Sequence, residues 1–296
     1  MMTMYGVDVG IQNCRSCIMK TNISDFKKYK DFLVCVDSDG CAIDTMDEKH
    51  KKFFGPKAIE TWELGKIEEE FLNTWNMVNL YSRTRGINRF KGLVKTFQIL
   101  ENKGFNMPPY DSILQWTETT SELSNPSLER EIEKSQNEEL LNTLRWSHSV
   151  NDAIAKKPGE SKAFNGVKEC LEYISNIADI VIVSSANGEA VRKEWTLNGL
   201  SPYVQIMLGQ EAGSKSFCIK ALKKNYEDGK VLMIGDAPGD LIAAKKNKVL
   251  FYPILAGKEE FSWKRLGSEA IQLFINGLYK GEYEENLIEE FYSILK

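Results

Sequence analysis

Four short apolar runs in this chain each stop abruptly at small or charged residues, and that pattern restricts the fold more than any other feature. The runs are residues 32–36, 180–183, 231–234 and 249–254, with a weaker fifth at 204–208. Unbroken apolar runs of this length read as strands buried on both faces, the mark of parallel sheets. Helical periodicity separates them, at residues 166–174, 189–197, 215–224 and 241–246. Strand alternating with helix predicts an α/β fold with a Rossmann-like parallel sheet. In such sheets ligands bind outside the carboxyl ends of the strands, so the residues just after each run are the ones to inspect.

The stretch between the first run and the second is of another kind. Residues 47–157 carry aromatic and leucine spacing suited to helices, as in "IETWELGKIEEEFLNTWNMVNLY", and are rich in Glu and Lys. No convincing β-run interrupts them. A crossover of that length is a domain and not a loop. The predicted organisation is an extension at 1–30, a core formed by 31–46 and 158–296, and an inserted all-helical domain at 47–157. The Pro and Gly of "KKPGESKAFNG" mark the return to the core, and "EENLIEEFYSILK" reads as an amphipathic helix packed back onto it.

Charge and composition narrow the function. A formal net charge of −4 and a pI near 5.5 argue against a broad nucleic-acid-binding surface. No apolar run approaches the roughly 18 residues of a membrane span. Asp8 interrupts the only candidate signal run. Six scattered cysteines read as reduced thiols, which predicts a cytoplasmic protein. With two histidines, His50 and His148, a His-rich metal site is excluded and a Ser-His triad is disfavoured.

Polar clusters follow the strand ends. The first is "DSDG", with Asp37 and Asp39 flanking Ser38 ahead of Gly40; the second is "SSANG", from Ser184 to Gly188; the last is "GDAPGD", with Asp236 and Asp240. Lys215 opens the helix between the last two. Taken singly, each has an ordinary explanation: a turn, a helix cap, a solvated lysine. Together they put two carboxylate pairs, a hydroxyl and an ammonium at edges of one sheet.

This arrangement resembles the haloacid dehalogenase superfamily, in its branch of aspartate-nucleophile phosphatases. The family's first motif is matched by "FLVCVDSDGCAIDT", its second by "IVIVSS", its third by Lys215 and its fourth by "GDAPGD". The resemblance covers roughly residues 31–257, and the helical insertion is similar to the family's cap domain, though longer. It implies that Asp37 attacks phosphorus and that Asp39 protonates the leaving oxygen and then activates water. It implies Mg²⁺ held by Asp37, the Asp39 carbonyl and Asp236, with Asp240 orienting those ligands or joining them through water. Ser184, Ser185 and Asn187, with Lys215, would hold phosphate oxygens. Gly40 would let the chain turn sharply so that both carboxylates face one site. Dehalogenases of the family lack the second aspartate, so Asp39 points to phosphate-ester chemistry on a small phosphorylated metabolite. A phosphomutase, or a silent relative that only binds, is the alternative. The expected assembly is a monomer or small homo-oligomer, with no nucleic acid or membrane partner.

Two further segments stand out. "YSRTRGINRF" brings Arg83, Arg85 and Arg89 together in the insertion, and Arg85 is the candidate for gripping a substrate anion. Gly86 would mark the break that turns these arginines toward the site. Near the N-terminus, "YGVDVGIQNC" resembles a phosphate loop of actin-like sugar kinases, but no second such loop follows. Cys14 and Cys17 form a C-x-x-C without a second pair, which leaves a zinc site incomplete.

Overall fold

The computed structural model describes residues 22–156 and 161–295. The N-terminal phosphate-loop likeness, Cys14 and Cys17 lie outside the described residues, as does part of the predicted return linker. Five parallel strands form one sheet: β1 (Phe32–Val36), β2 (Ala178–Val183), β3 (Ile206–Leu208), β4 (Val231–Gly235) and β5 (Leu250–Pro253), in the order β3-β2-β1-β4-β5. This is the expected α/β core. The strand order reverses between β1 and β4, so the crevice at their carboxyl ends is where such a sheet binds ligands.

Alternation along each strand explains why the runs are apolar throughout. Val34, Val36, Ile180, Ile182, Leu232 and Ile234 face one cluster, and Leu33, Cys35, Val181, Val183, Val231 and Met233 face the other. Helices cover both faces. Val167–Ser175 and Gly188–Leu197 lie on the first, and Lys215–Lys223 and Pro238–Asn247 on the second. The last of these begins three residues earlier than the periodicity predicts. Pro238 stands in its first turn, where a proline costs nothing, and the Asp240 carboxylate accepts from the Ala237 N–H at 3.1 Å. Sequence reading left residues 258–283 unassigned. They form helical segments, Glu259–Arg265 and Ile271–Ile275 with a π-helical turn between, whose Trp263, Leu266, Ala270 and Phe274 pack on the first face. The Trp263 indole donates to the Cys41 carbonyl at 2.8 Å, bracing the segment that carries Asp37 and Asp39.

From Met46 to Ala155 the described elements are all helical. They close around a separate, aromatic-rich cluster that includes Phe54, Phe71, Trp75, Phe90, Phe97, Trp116 and Trp146. No helix among the described residues is long and apolar enough to cross a membrane.

His50 sits in a π-helical turn at the edge of this cluster. Its Nδ1 accepts from the Trp75 indole at 3.2 Å, and its ring stacks on Phe54 at 4.8 Å. Burial, with Arg85 and Arg89 adding, presses its pKa down from 6.5 to about 3. An unfolded chain therefore binds a proton between those values that the folded chain does not. His50 should cost about 1.4 kcal/mol of stability for each pH unit below about 6.5. Denaturant melts across pH 4–7 should show that slope reduced by this amount in His50→Gln. Equal slopes in the two proteins would contradict it.

Candidate active site

The site is built on the end of β1. The Asp37 N–H donates to the Ile234 carbonyl at 3.0 Å, extending the β1–β4 ladder by one step and setting the Asp37 side chain near Asp236, the residue just after β4. Gly40 then takes φ +76°, and a Cβ there would lie 2.6 Å from Asp236 Oδ2 and 2.9 Å from Arg85 Nη2. Only glycine gives both the left-handed turn and this close approach. Ser38, between the two aspartates, is fully buried and accepts from the Trp195 indole at 2.9 Å.

Lys215, at the start of its helix, reaches across to the strand ends. Its Nζ lies 2.8 Å from Asp37 Oδ1 and 2.6 Å from Asp240 Oδ1. Burial by itself would depress its proton affinity, but Asp240 and Asp37 outweigh that, so it is held as a cation. The Asp37 carboxyl is pushed up, first by burial and then by Asp240 and Asp236, against the opposing pull of Lys215. Asp236 is pushed up for the same first reason, against Arg85. By formal charge, three carboxylates, Asp37, Asp236 and Asp240, face two cations, Lys215 and Arg85.

A metal fits that description. Among the described residues, Asp37, Asp236 and Asp240 can each offer a carboxylate oxygen, and the three oxygens lie within 4.8 Å of one another. Asp236 Oδ1 is buried and accepts no hydrogen bond. A buried, unpartnered carboxylate oxygen is costly unless something cationic meets it, and a set of hard oxygens suits a divalent cation such as Mg²⁺.

Asp39 is held apart from this cluster. Its carboxylate takes Lys49 Nζ at 2.8 and 2.9 Å and the Thr45 hydroxyl at 2.6 Å. Burial would raise its pKa, but Lys49 and Thr45 reverse the sign and hold it below the usual range. Lys49 also lies 3.7 Å from Glu194. Sequence reading missed Lys49. It stands one turn after Thr45, in the first helix beyond the motif.

The other expected residues are distributed as follows. Ser184 directly follows β2, is buried, and accepts from the Ala186 N–H at 3.1 Å. Ser185 is exposed at the same turn. The Asn187 oxygen caps the Gly188–Leu197 helix by accepting from Glu189 and Ala190. Of the three arginines, Arg83 lies over the Tyr292 ring, and Arg89 is bound to Ser147 and Asn151 within the insertion. Arg85 alone reaches the strand ends. Its Nη2 lies 2.7 Å and its Nε 2.8 Å from Asp236 Oδ2, and its Nη1 donates to the Leu80 carbonyl at 2.9 Å. Its immediate partner is therefore an aspartate of the core. A cavity of about 480 Å³ adjoins the site through Gly40 and Arg85. None of Asp37, Asp39, Asp236 or Asp240 is in its wall.

Residues 87–253, more than half of the chain, match the family model of haloacid dehalogenase-like hydrolases. The chain belongs to that family. The matched stretch takes in Ser184, Lys215, Asp236 and Asp240, while Asp37 and Asp39 precede it. Among solved structures, a haloacid dehalogenase-like family hydrolase from Streptococcus pneumoniae is 14% identical, with 88% of this chain and 98% of that one covered and a TM-score of 0.39. A "predicted phosphatase" from Clostridium acetobutylicum is 14% identical, with 84% and 98% covered and a TM-score of 0.44. A hydrolase from Pseudomonas syringae is 16% identical, with 80% and 91% covered and a TM-score of 0.43. Likeness this distant says nothing of substrate. The comparison with curated proteins gives no significant match.

Proposed function

We propose that this haloacid dehalogenase-like hydrolase is a Mg²⁺-dependent phosphomonoesterase that acts on a small phosphorylated metabolite through an aspartyl-phosphate at Asp37. The observation that carries this reading is the division of labour within one turn of chain. Asp37 is buried against Lys215, and Asp39, two residues on, is held separately by Lys49 and Thr45. A hydrolase that displaces halide has no leaving oxygen to protonate and no use for the second carboxylate.

In this account an Asp37 oxygen attacks phosphorus and the ester oxygen departs. Asp39, ionised by its Lys49 and Thr45 contacts, takes a proton from the water that hydrolyses the acyl-phosphate and delivers that proton to the leaving oxygen of the next ester. Lys215 anchors Asp37 and sets positive charge where the phosphoryl oxygens gather. Ser184 and the amides of the turn after it would hold those oxygens from the β2 side. Mg²⁺, when bound by Asp37, Asp236 and the Asp39 carbonyl with Asp240 beside them, would offset the carboxylate repulsion and the phosphoryl charge.

Phosphate release from a panel of phosphorylated metabolites, with and without Mg²⁺, tests the reading. Mg²⁺-dependent release of inorganic phosphate from at least one monoester is expected. Isomerisation without release would make the protein a mutase. No reaction with any member, by a protein that still binds the compounds, would make it a binder.

A further inference from the structure

The residues that would hold Mg²⁺ all come from the α/β core, yet the one contact that settles how Asp236 is turned comes from the helical insertion. Arg85 places two donors, Nε and Nη2, on the same oxygen, Asp236 Oδ2, and Nε also meets the Asp236 backbone carbonyl at 3.1 Å. The other oxygen, Oδ1, is left without a hydrogen bond. Arg85 is itself pinned, with Nη1 on the Leu80 carbonyl and only 4% of its surface exposed. The turn that presents it is close-fitted to the core. Gly86 has φ +70°, and a Cβ on it would come within 2.7 Å of Ala237 Cβ. A planar guanidinium gripping one oxygen and the backbone of the same residue leaves the carboxylate little freedom to rotate.

We propose that Arg85 is a positioning residue for the divalent-cation site: it fixes Asp236 so that Oδ1 faces the oxygens of Asp37 and Asp240, and it makes the site complete only when the insertion is docked. This rests on the reading of those three aspartates as the Mg²⁺ site. Groups that orient metal ligands typically contribute 10- to 100-fold to affinity. The positive charge of Arg85 acts in the opposite sense, by repelling a cation, so the direction of the effect separates orientation from charge.

The test is Mg²⁺ binding to the full chain by isothermal titration calorimetry, with no substrate present. Arg85→Met should weaken binding by about 10- to 100-fold, and Arg85→Lys, which keeps the repelling charge but loses the fork, should weaken it at least as much. Gly86→Ala leaves every ligand and Arg85 in the sequence but forces the turn off Ala237; it should weaken Mg²⁺ binding in the same direction. Circular dichroism identifies the variants that remain folded. Unchanged or tighter binding in folded Arg85→Met, or undiminished binding in Gly86→Ala, would overturn the inference while leaving the metal site standing. Failure of the wild-type chain to bind Mg²⁺ would overturn both.

Discussion

Asp37→Asn should abolish turnover and leave the fold intact. The amide has the shape of the carboxylate but is a poor nucleophile, and loss of a covalent nucleophile typically removes four or more orders of magnitude of rate, on the order of 10⁴–10⁶. The surroundings tolerate the change. Burial already disfavours the charged form of Asp37, and Lys215 keeps its 2.6 Å contact with Asp240. Phosphate release by a purified variant whose melting curve matches the wild type is the measurement. Undiminished release would remove Asp37 from the chemistry.

The second large effect concerns Asp39, whose side chain and backbone are proposed for different work. Asp39→Ala keeps the carbonyl, so Mg²⁺ affinity should change little. It removes the proton carrier, and turnover should fall by about 10²–10⁴-fold. The Lys49 and Thr45 contacts keep the Asp39 carboxyl ionised, a state that suits it to take a proton from water in the second step. With a leaving group that departs unprotonated the first step should be largely spared, so phosphoryl-enzyme should accumulate. Mg²⁺ titration of Asp39→Ala beside Asp236→Ala, on a good and a poor leaving group, separates the cases. Only Asp236→Ala should show a steep rise in Mg²⁺ requirement. Equal loss of metal binding in both would make the Asp39 side chain a ligand and end its role as proton carrier.

The parallel sheet was legible because its strands are buried on both faces, so "FLVCV" and "VLMI" are apolar without interruption and end where the chain meets the site. The aspartates were legible for a related reason: a buried strand that stops at adjacent carboxylates has no packing explanation. The helices at Glu259–Arg265 and Ile271–Ile275 were not seen, although Trp263, Leu266, Ala270 and Phe274 carry a helical stripe. A π-helical turn, Leu266–Ala270, interrupts the regular period there. Lys49 was not seen because its partner Asp39 is ten residues away in sequence and a lone helical lysine carries no signal. Arg85 was picked out by residue type, but its partner could not be. The ion pair with Asp236 spans 151 positions and depends on how the turn at Gly86 meets Ala237.

The account stands on a phosphoryl group passing through Asp37. A single turnover with a labelled substrate whose leaving group departs unprotonated, quenched in acid and mapped by peptide mass spectrometry, tests that most directly. The expected result is a phosphoryl group on Asp37 of the wild type, more of it in Asp39→Ala, and none in Asp37→Asn. Turnover with no covalent label in either active-site background, or a label on any residue other than Asp37, would contradict it.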